Sequence, residues 1–517
     1  MSRVQKYSPF AIAALVLWVV LFIIYPHYQY YIDPDGTAYL TISKRYANGD
    51  ILRAINGYWS PWACWLTAAL IRCGASVIPA SVIVNTAGAT GFLFISQSFF
   101  VRFGVQRRMQ WLLCITLALF LCYAVFWQSF DDLWECAFLL ATLRLVLMPG
   151  YEHRFGLWVL SGIIGTLAYF AKAYSFPFFI LNTLCCTWLI SDSKLQWLKI
   201  SATAIGAMLF CSLPWIWVLH NKYGIWTTST AGTLNTSWYL VGHPHWKEGI
   251  KLLIPPAYPD SPYYWEDPWF ANGDTPHFWD SLSLLGSEVM RTGYHAILFV
   301  LSGLQLSVFF PLIAIAAAVS LLVKKYRSNL TRDMRILTLS FLLFPLGYLL
   351  VNFESRYLWY MVPLSMVLGA VMIQNSVYKY GKGARFAKAL FLISYLLVPA
   401  FGLIMMYNNG KAEYQLAGEL KKANVSGTFT GNAHPRFMAR VAYFSGSQYY
   451  FLLYNGRGKA EGLPDEVRKY GVQYFIHLDP EFLRDAAHQD ALFNDYNFLS
   501  GRKEVKRLYS CTVYNAE

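Results

Sequence analysis

Long apolar runs separated by short polar gaps make up most of the chain. The hydrocarbon core of a bilayer is about 30 Å thick, so a run of about 20 apolar residues predicts a helix that crosses it. Such runs occur at residues 9–27, 77–100, 109–128, 132–149, 155–172, 175–191, 197–219, 294–323, 335–352, 357–376 and 386–407. The pattern predicts about eleven transmembrane helices, with a further apolar helix at 61–73 in the membrane interface.

The composition agrees with this pattern. Of 517 residues, 56% are hydrophobic and 14% are charged, whereas soluble proteins carry roughly a quarter charged residues. Aromatic residues, at 18%, suit a protein with two water–lipid interfaces. The nine cysteines form no CxxC or Cys/His pattern, which argues against a disulfide scaffold or a structural zinc site. We expect a polytopic α-helical membrane protein.

The positions of the basic residues predict the orientation. The net charge is +13, but Lys and Arg lie mostly in short gaps between apolar runs, so they indicate topology and not nucleic-acid binding. With a cytoplasmic N-terminus and an uncleaved first helix, the gaps rich in Lys and Arg are cytoplasmic. The loops 28–60 and 220–293 are then external. An odd number of spans then places the C-terminal part of the chain on the external side.

The composition changes at about residue 408. Helix-like segments such as "KAEYQLAGELKKANV", "PRFMARVAYFSG" and "PDEVRKYG" alternate with strand-like segments such as "GTFTGN", "QYYFLLY", "VQYFIHL" and "EVKRLYSCTVY". This alternation predicts a small α/β domain over 408–517, following a membrane domain over 1–407 that includes both external loops. No nucleotide-binding motif is present in it, so we interpret it as an accessory domain.

Two acids, Asp33 and Asp35, come directly after the first apolar run. Asp-Pro-Asp-Gly is a favourable turn, and Asp35 could cap a helix that begins near Thr37. Alternatively, a carboxylate beside a low-dielectric membrane holds a proton more tightly and can serve as a general base. Two acids at this spacing could also hold a divalent cation such as Mg²⁺ or Mn²⁺. The residues themselves leave these alternatives open.

The stretch after these acids resembles a known superfamily. Tyr39 lies four residues after Asp35, then come "ANGD" at 47–50 and the aromatic-proline step "YWSP" at 58–61. This pattern resembles the GT-C superfamily of membrane glycosyltransferases, and especially bacterial members similar to protein O-mannosyltransferases and lipid A aminoarabinose transferases. The chain departs from it at Gly36, where Glu is common, and in having "YWSP" where some relatives have a Lys-Pro-Pro step.

The resemblance implies further site residues on the same external side. Asp131 and Asp132 match the acid that precedes a helix in the family. Lys172 matches the family's lysine-containing turn, and Arg356 with Tyr357 matches its Arg-Tyr signature. The resemblance implies that Lys172, Arg356 and Tyr357 bind the donor phosphate. Structural alternatives remain: the acids could cap a helix, Lys172 could snorkel, and Arg356 could pair with Glu354. Substrate contacts are further expected from these residues: Asp131, Asp132, Tyr39, Tyr58, Trp59.

The 220–293 loop offers weaker candidates. His243 and His245 could bind a metal, but they have no third ligand at a suitable spacing and are interpreted as ordinary loop residues. The many Trp and Tyr side chains could stack on sugars or lie at the lipid headgroups. Glu266 and Asp267 are reserve candidates for contact with an acceptor.

The resemblance implies a glycosyltransferase of a bacterial inner membrane, with its C-terminal domain in the periplasm. The resemblance implies a polyprenyl-phosphate sugar donor, and the acceptor is an envelope glycan, lipid or protein. Asp35, with Asp33 beside it, is expected to be the base, and a single carboxylate predicts inversion. The alternatives are a transporter or flippase of lipid-linked sugars, which would need ionisable residues at mid-membrane, and a non-catalytic assembly protein.

Overall fold

The structure is a computed structural model that describes residues 3–127, 131–241, 253–271, 275–380, 382–452, 462–479, 502–508 and 510–516. The chain forms two compact units. Unit 1 consists of Met1–Tyr25, Ser60–Ser229 and Leu285–Met405, and unit 2 consists of Pro26–Trp59, Thr230–Leu284 and Met406–Glu517.

Unit 1 is built of helices. In chain order they are Arg3–Tyr28 (α1), Trp62–Arg72 (α4), Val77–Arg102 (α5), Arg107–Phe126 (α6), Asp132–Val146 (α7), Phe155–Ala171 (α8), Ser175–Ile190 (α9), Lys194–Tyr223 (α10), Leu282–Leu306, Phe310–Leu322, Lys324–Arg327, Arg332–Leu343, Leu346–Val351, Met361–Tyr380 and Lys382–Met406. Short 3₁₀ turns occur at Tyr151–His153 and Ser355–Leu358.

The structure confirms a polytopic α-helical membrane protein. Within the described residues, six helices are long and apolar enough to cross a membrane, or seven if one bent pair is a single span. The predicted count of eleven is not confirmed. One reason is helix length: α7, α8 and α9 have 15, 17 and 16 residues. At about 1.5 Å per residue, each is shorter than the hydrocarbon core.

The bent pair corrects the predicted single run over 294–323. Leu282–Leu306 and Phe310–Leu322 meet at an angle of 120°. Pro311 lies in the first turn of the second helix, where its missing N–H costs nothing, and its ring would clash with a continuous helix at that point. The hydroxyl of Ser307 accepts a hydrogen bond from the N–H of Phe309 and so satisfies a backbone group at the break.

Unit 1 combines close helix packing with apolar outer faces. A Cβ on Gly162 of α8 would lie 2.3 Å from the carbonyl oxygen of Ala204 in α10, so only glycine permits this approach. Tyr169, Phe179 and Met208 are buried together nearby. In contrast, Phe22 of α1 is 84% exposed, as many other apolar side chains of the long helices are, which suits contact with lipid tails.

Unit 2 begins with two helices, Pro34–Asn48 (α2) and Ile51–Ala54 (α3). α2 starts three residues earlier than predicted, and Asp33, not Asp35, is its N-cap residue, because Pro34 is suited to the first helical position. α2 ends at Asn48 and is capped by Gly49, which adopts a left-handed conformation with φ of 83°. The later helices of unit 2 are Thr230–Val241 (α11), Lys411–Lys422, Pro435–Ser445 and Leu463–Tyr470.

The predicted α/β region near the C-terminus is confirmed. Its strands are Thr428–Gly431 (β2), Gln448–Tyr449 (β3), Phe451–Leu452 (β4), Tyr474–Leu478 (β5), Glu504–Arg507 (β6) and Cys511–Asn515 (β7). The main sheet has the order β3-β2-β5-β7-β6, with β2 parallel to β3 and β5, and β7 antiparallel to β5 and β6. The parallel pairs require helical crossovers, which Pro435–Ser445 and Leu463–Tyr470 supply.

The segment 253–271 shares its core with this α/β region. Leu253–Ile254 (β1) pairs antiparallel with β4, so the predicted strand "QYYFLLY" is divided between two sheets. Tyr263 and Tyr264 are buried in one cluster with side chains of the sheet and of the helices Lys411–Lys422 and Pro435–Ser445. Part of the predicted 220–293 loop therefore folds together with residues near the C-terminus.

We predict that Gly410→Ala destabilises unit 2. Gly410 has φ of 88°, and a Cβ there would lie 2.0 Å from the carbonyl oxygen of Tyr30. The backbone conformation alone costs on the order of 1–3 kcal/mol in an L-residue. Gly418→Ala is the matched control, since Gly418 lies in a helix with nothing within 4 Å of its Cβ position. Thermal unfolding should show a lower Tm only for Gly410→Ala; equal Tm values would contradict the prediction.

Candidate functional site

Unit 1 contains a cluster of five charged side chains, called the ionic cluster: Asp132, Glu135, Lys172, Glu354 and Arg356. Asp132 and Glu135 occupy the first turn of α7, where the helix dipole favours negative charge. Lys172 is the C-cap residue of α8, where a positive charge is favoured. Glu354 and Arg356 lie in and beside the 3₁₀ turn Ser355–Leu358.

Asp132 joins the two cations of the cluster. Its Oδ1 accepts a hydrogen bond from Nζ of Lys172, and its Oδ2 lies 3.5 Å from Nη1 of Arg356. Glu135 lies behind this pair, where Nζ of Lys172 is 3.9 Å from its Oε2. Asp132 is 5% exposed and Glu135 2%, so both acids are almost fully removed from water. Buried charges of this kind need partners, and each of these acids has them.

Neutral side chains complete the surroundings of Glu135 and Lys172. The hydroxyls of Ser175 and Tyr348 donate to Oε1 of Glu135 at 3.2 and 3.4 Å. Tyr348 stacks on Tyr357 with ring centroids 4.3 Å apart, and Nζ of Lys172 lies 4.1 Å from the centroid of Tyr357. Lys172 therefore has a carboxylate on one side and an aromatic face on the other.

Glu354 is the exposed member of the ionic cluster. Its Oε2 accepts a hydrogen bond from Nε of Arg356 at 2.8 Å, and its Oε1 accepts one from the hydroxyl of Tyr357 at 3.3 Å. Its side chain is 40% exposed, whereas Arg356 is 11% exposed. The alternative pairing of Arg356 with Glu354 thus occurs, together with the contact to Asp132. Glu354 is therefore more accessible to water than Asp132, which also contacts Arg356.

Asp131 has a different position from Asp132. It is buried, and its Oδ1 accepts a hydrogen bond from the N–H of Ala63 at 3.0 Å, in the first turn of α4. It is the N-cap residue of α7 but makes no side-chain capping hydrogen bond to it. Asp131 thus joins α4 to α7, and its predicted contact with substrate stays a prediction.

In unit 2, Asp33 and Asp35 take different roles at the start of α2. Asp33 is 3% exposed, and its carboxylate accepts hydrogen bonds from the N–H groups of Gly36 and Asp35, at 2.7 and 3.2 Å. Asp35 is half-buried, and its Oδ1 accepts a hydrogen bond from Nε1 of Trp265 at 3.1 Å. Asp33 therefore fixes the turn, and Asp35 is the carboxylate that the turn presents.

Around Asp35 lies an aromatic cluster of Tyr39, Tyr58, Trp59, Trp238 and Trp265. Trp265 stacks on Trp238 with centroids 5.5 Å apart, and Tyr58 lies 5.4 Å from Trp265. Tyr39 meets Trp59 edge-on at 5.2 Å. Nε1 of Trp59 also donates to the carbonyl oxygen of Trp265 at 2.8 Å. The predicted residues Tyr39, Tyr58 and Trp59 thus meet beside Asp35.

An ion-pair network anchors the segment that carries Trp265. Nε of Arg45 in α2 donates a hydrogen bond to Oε1 of Glu266. Nη1 and Nη2 of Arg45 each lie 3.0 Å from an oxygen of Asp260. Burial raises the pKa of Glu266, and the hydrogen bond from Arg45 opposes that rise. The same guanidinium holds the pKa of Asp260 below its usual range. Nδ2 of Asn56 also donates to the carbonyl oxygen of Glu266, at 2.7 Å.

Glu266 and Asp267 therefore have structural partners. Both side chains are almost completely buried, and Asp267 accepts a hydrogen bond from the hydroxyl of Tyr258 at 2.7 Å. The acceptor contact suggested for this pair stays a prediction. His243, His245 and Asp274, which belong to the same predicted loop, lie outside the described residues.

The site residues divide between the two units. Asp132, Lys172, Arg356 and Tyr357 meet in unit 1, and Asp33, Asp35 and the aromatic cluster meet in unit 2. Sequence reasoning missed Glu135, although it lies three residues after Asp132 and so on the same helix face. It also missed the individual roles of Trp265, Trp238 and Arg45. Trp265 and Arg45 have partners 230 and 221 residues away in sequence, and Trp238 stacks on Trp265, so no local pattern identifies them.

The residues present do not form a metal site around the two aspartates. Both oxygens of Asp33 are engaged by backbone N–H groups. Across the described parts of the chain, no group of three or more His, Cys, Asp or Glu side chains is placed to hold a metal ion. We therefore derive no reaction step through Mg²⁺ or Mn²⁺.

Comparison with known proteins identifies the fold. No protein-family model matches the chain, and no curated protein sequence matches it. Solved structures do match. ArnT from Cupriavidus metallidurans bound to undecaprenyl phosphate has a TM-score of 0.53 at 11% identity, covering 100% of this chain and 99% of that one. ArnT in the apo state has a TM-score of 0.54 at 12% identity, covering 98% and 97%.

Part of a second solved structure is also similar to this chain. Arabinofuranosyltransferase AftD from Mycobacteria has a TM-score of 0.52 at 13% identity, covering 100% of this chain and 42% of that one. ArnT and AftD are both GT-C glycosyltransferases. The protein has a GT-C fold. The resemblance noted in the sequence is thereby confirmed at the level of the fold, over nearly the full length of ArnT.

We predict that Arg45→Met destabilises unit 2 by about 3–5 kcal/mol at neutral pH, because it leaves Glu266 buried without its cation. Without Arg45 the pKa of Glu266 rises further, so the folded variant binds a proton that the unfolded chain releases. Its stability therefore increases as the pH falls towards the unfolded value of about 4.3. In thermal unfolding, the loss of stability of Arg45→Met relative to wild type should be smaller at pH 5.5 than at pH 8.

The double variant Arg45→Met/Glu266→Gln is the control for this effect. It has no buried carboxylate at position 266, so its loss of stability relative to wild type should be smaller than that of Arg45→Met and should change little with pH. A deficit of the single variant that is the same at both pH values would refute the assignment of Glu266 as the uncompensated charge.

Proposed function

We propose that the protein is a glycosyltransferase that moves a sugar from a polyprenyl-phosphate donor to an acceptor hydroxyl at the external face of a bacterial inner membrane. The observation that carries the proposal is the meeting of Lys172 and Arg356 around Asp132, within the fold of ArnT, a protein solved with undecaprenyl phosphate bound. Two cations held at the ends of apolar helices suit a lipid whose only charged group is a phosphate.

The ionic cluster is proposed to bind the donor phosphate. A guanidinium matches phosphate oxygens in fork geometry, and Arg356 is largely shielded from water, which strengthens such a contact. The phosphate would take the place of exposed Glu354 on Arg356. Asp132 would remain and hold both cations in position, so that their arrangement is set before the donor arrives.

Asp35 is proposed to be the general base. Asp33 fixes the turn that carries it, and the indole N–H of Trp265 orients one carboxylate oxygen. The aromatic cluster beside it offers partly exposed ring faces of Tyr39, Tyr58 and Trp265, which suit contact with a sugar.

The proposed reaction is a single displacement. The acceptor oxygen attacks the anomeric carbon, its proton passes to the carboxylate of Asp35, and the bond from the anomeric carbon to the phosphate oxygen breaks. The polyprenyl phosphate leaves as an anion, so no general acid is required, and cations bound to the phosphate stabilise the charge that develops on it. A single displacement inverts the anomeric configuration.

We predict that Asp35→Asn lowers the rate of transfer by about 10²–10⁴-fold, which is the usual contribution of a general base. The measurement is transfer of a radiolabelled sugar from polyprenyl-phosphate donors to membrane extracts. Asp465→Asn is the control, because Asp465 is an exposed carboxylate of unit 2 paired only locally with Arg468. Full transfer by folded Asp35→Asn protein would remove Asp35 as the base.

Variants of the ionic cluster test donor binding separately. Arg356→Gln should weaken binding of undecaprenyl phosphate to the purified protein by tenfold or more, since charge-assisted hydrogen bonds contribute about 1.5–3 kcal/mol. Glu354→Gln should strengthen it, because the variant removes the anion that competes for Arg356. Arg332→Gln, an exposed arginine elsewhere in unit 1, is the control. Weaker binding by Glu354→Gln would contradict the proposed exchange.

A further inference from the structure

A second group of charged side chains lies at the opposite end of α7 from the ionic cluster. Arg144 is in the last turn of α7, and Arg102 is the last residue of α5. Nη2 of Arg102 is 2.5 Å from Oδ2 of Asp333, in the first turn of the helix Arg332–Leu343. Arg144 is close enough to Arg102, Tyr7 and Asp333 for each to act on it electrostatically.

A third arginine adjoins this group. Nη2 of Arg107 donates to the hydroxyl of Ser8 at 2.6 Å, and Ser8 is the neighbour of Tyr7 in α1. Three arginines thus lie at this end of unit 1, and Asp333 forms an ion pair with one of them, Arg102. Arg102, Arg107 and Asp333 belong to gaps that the sequence predicts to be cytoplasmic, and Arg144 lies in the apolar run 132–149, close to its cytoplasmic end. The local excess of positive charge is consistent with that orientation.

Topology alone does not account for Arg144. A residue that only marks the cytoplasmic side can extend into water, as exposed Arg108 does. Arg144 instead is half-buried, and its Nη1 is buried without a hydrogen-bond partner among the described residues. The same holds for Nε of Arg102. Buried N–H groups of a cation are costly unless they meet an acceptor, so this place is suited to an anionic ligand.

We propose that Arg144 and Arg102 bind the phosphate of an anionic phospholipid head group at this end of unit 1. The ligand is a phosphate because the donors are guanidinium N–H groups, whose fork matches phosphate oxygens. Its source is a lipid because Arg102 ends α5, a helix long and apolar enough to cross a membrane, and basic sites between such helices bind anionic lipids. This site is separate from the proposed donor site and does not depend on transfer activity.

The test uses the full chain purified in detergent. Thermal unfolding and native mass spectrometry are recorded with phosphatidylglycerol, with phosphatidylethanolamine and with inorganic phosphate. We expect wild-type protein to retain phosphatidylglycerol and to gain Tm with it, and to respond little to the other two. Arg144→Gln should bind phosphatidylglycerol at least tenfold more weakly. Arg108→Gln removes the same charge from an exposed position and should bind as wild type does.

Other outcomes would overturn the proposal. An equal loss of phosphatidylglycerol binding in Arg144→Gln and Arg108→Gln would mean that only the overall positive charge at this end of unit 1 matters. An equal gain of Tm with inorganic phosphate would assign the site to free phosphate. No gain with phosphatidylglycerol would exclude a lipid site. If Arg144→Gln does not fold, Arg144→Lys keeps the charge without the fork and should still bind more weakly than Arg108→Lys; equal binding by these two would refute the role of the fork.

Discussion

Two carboxylates removed from water at the start of α7 impose the main constraint on unit 1. Because buried carboxyl groups need partners, Lys172 from the α8–α9 turn and Arg356 from the 355–358 turn pair with Asp132, and Lys172 also lies beside Glu135. The same pairing places two positive groups close together, with the partly exposed Glu354 as a further partner of Arg356. A structural requirement for charge compensation thereby produces an arrangement suited to a phosphate.

In unit 2, hydrogen bonds and an aromatic side chain hold the carboxylate of Asp35 in position. The turn that presents Asp35 is fixed locally by Asp33, but the orientation of Asp35 depends on Trp265, which is distant in sequence. Trp265 is in turn anchored through its neighbour Glu266, which Arg45 of α2 holds in a buried ion pair. The carboxylate and the group that orients it are therefore connected to the same helix, which keeps their geometry constant.

Local sequence patterns predicted the features that depend on neighbouring residues, but not those that depend on contacts between distant residues. The membrane class, the α/β region and the GT-C resemblance come from apolar runs, alternation and a short motif, all of which are local. The number of spans was not confirmed, since apolar length cannot distinguish a full span from α7, and Pro311 divides a run that looked continuous. Asp33 was not identified as the cap because Pro34 begins the helix earlier than the apolar pattern does. Trp265 and Arg45 could not be predicted, because their partners are brought together only by the fold.

The most direct test of the central claim is an experimental structure of the protein with undecaprenyl phosphate bound. The account predicts the phosphate within hydrogen-bonding distance of Arg356 and Lys172, with Glu354 displaced from Arg356 and Asp132 still paired with both cations. A phosphate bound at a different place, with the ionic cluster unchanged, would contradict the assignment of this cluster as the donor site.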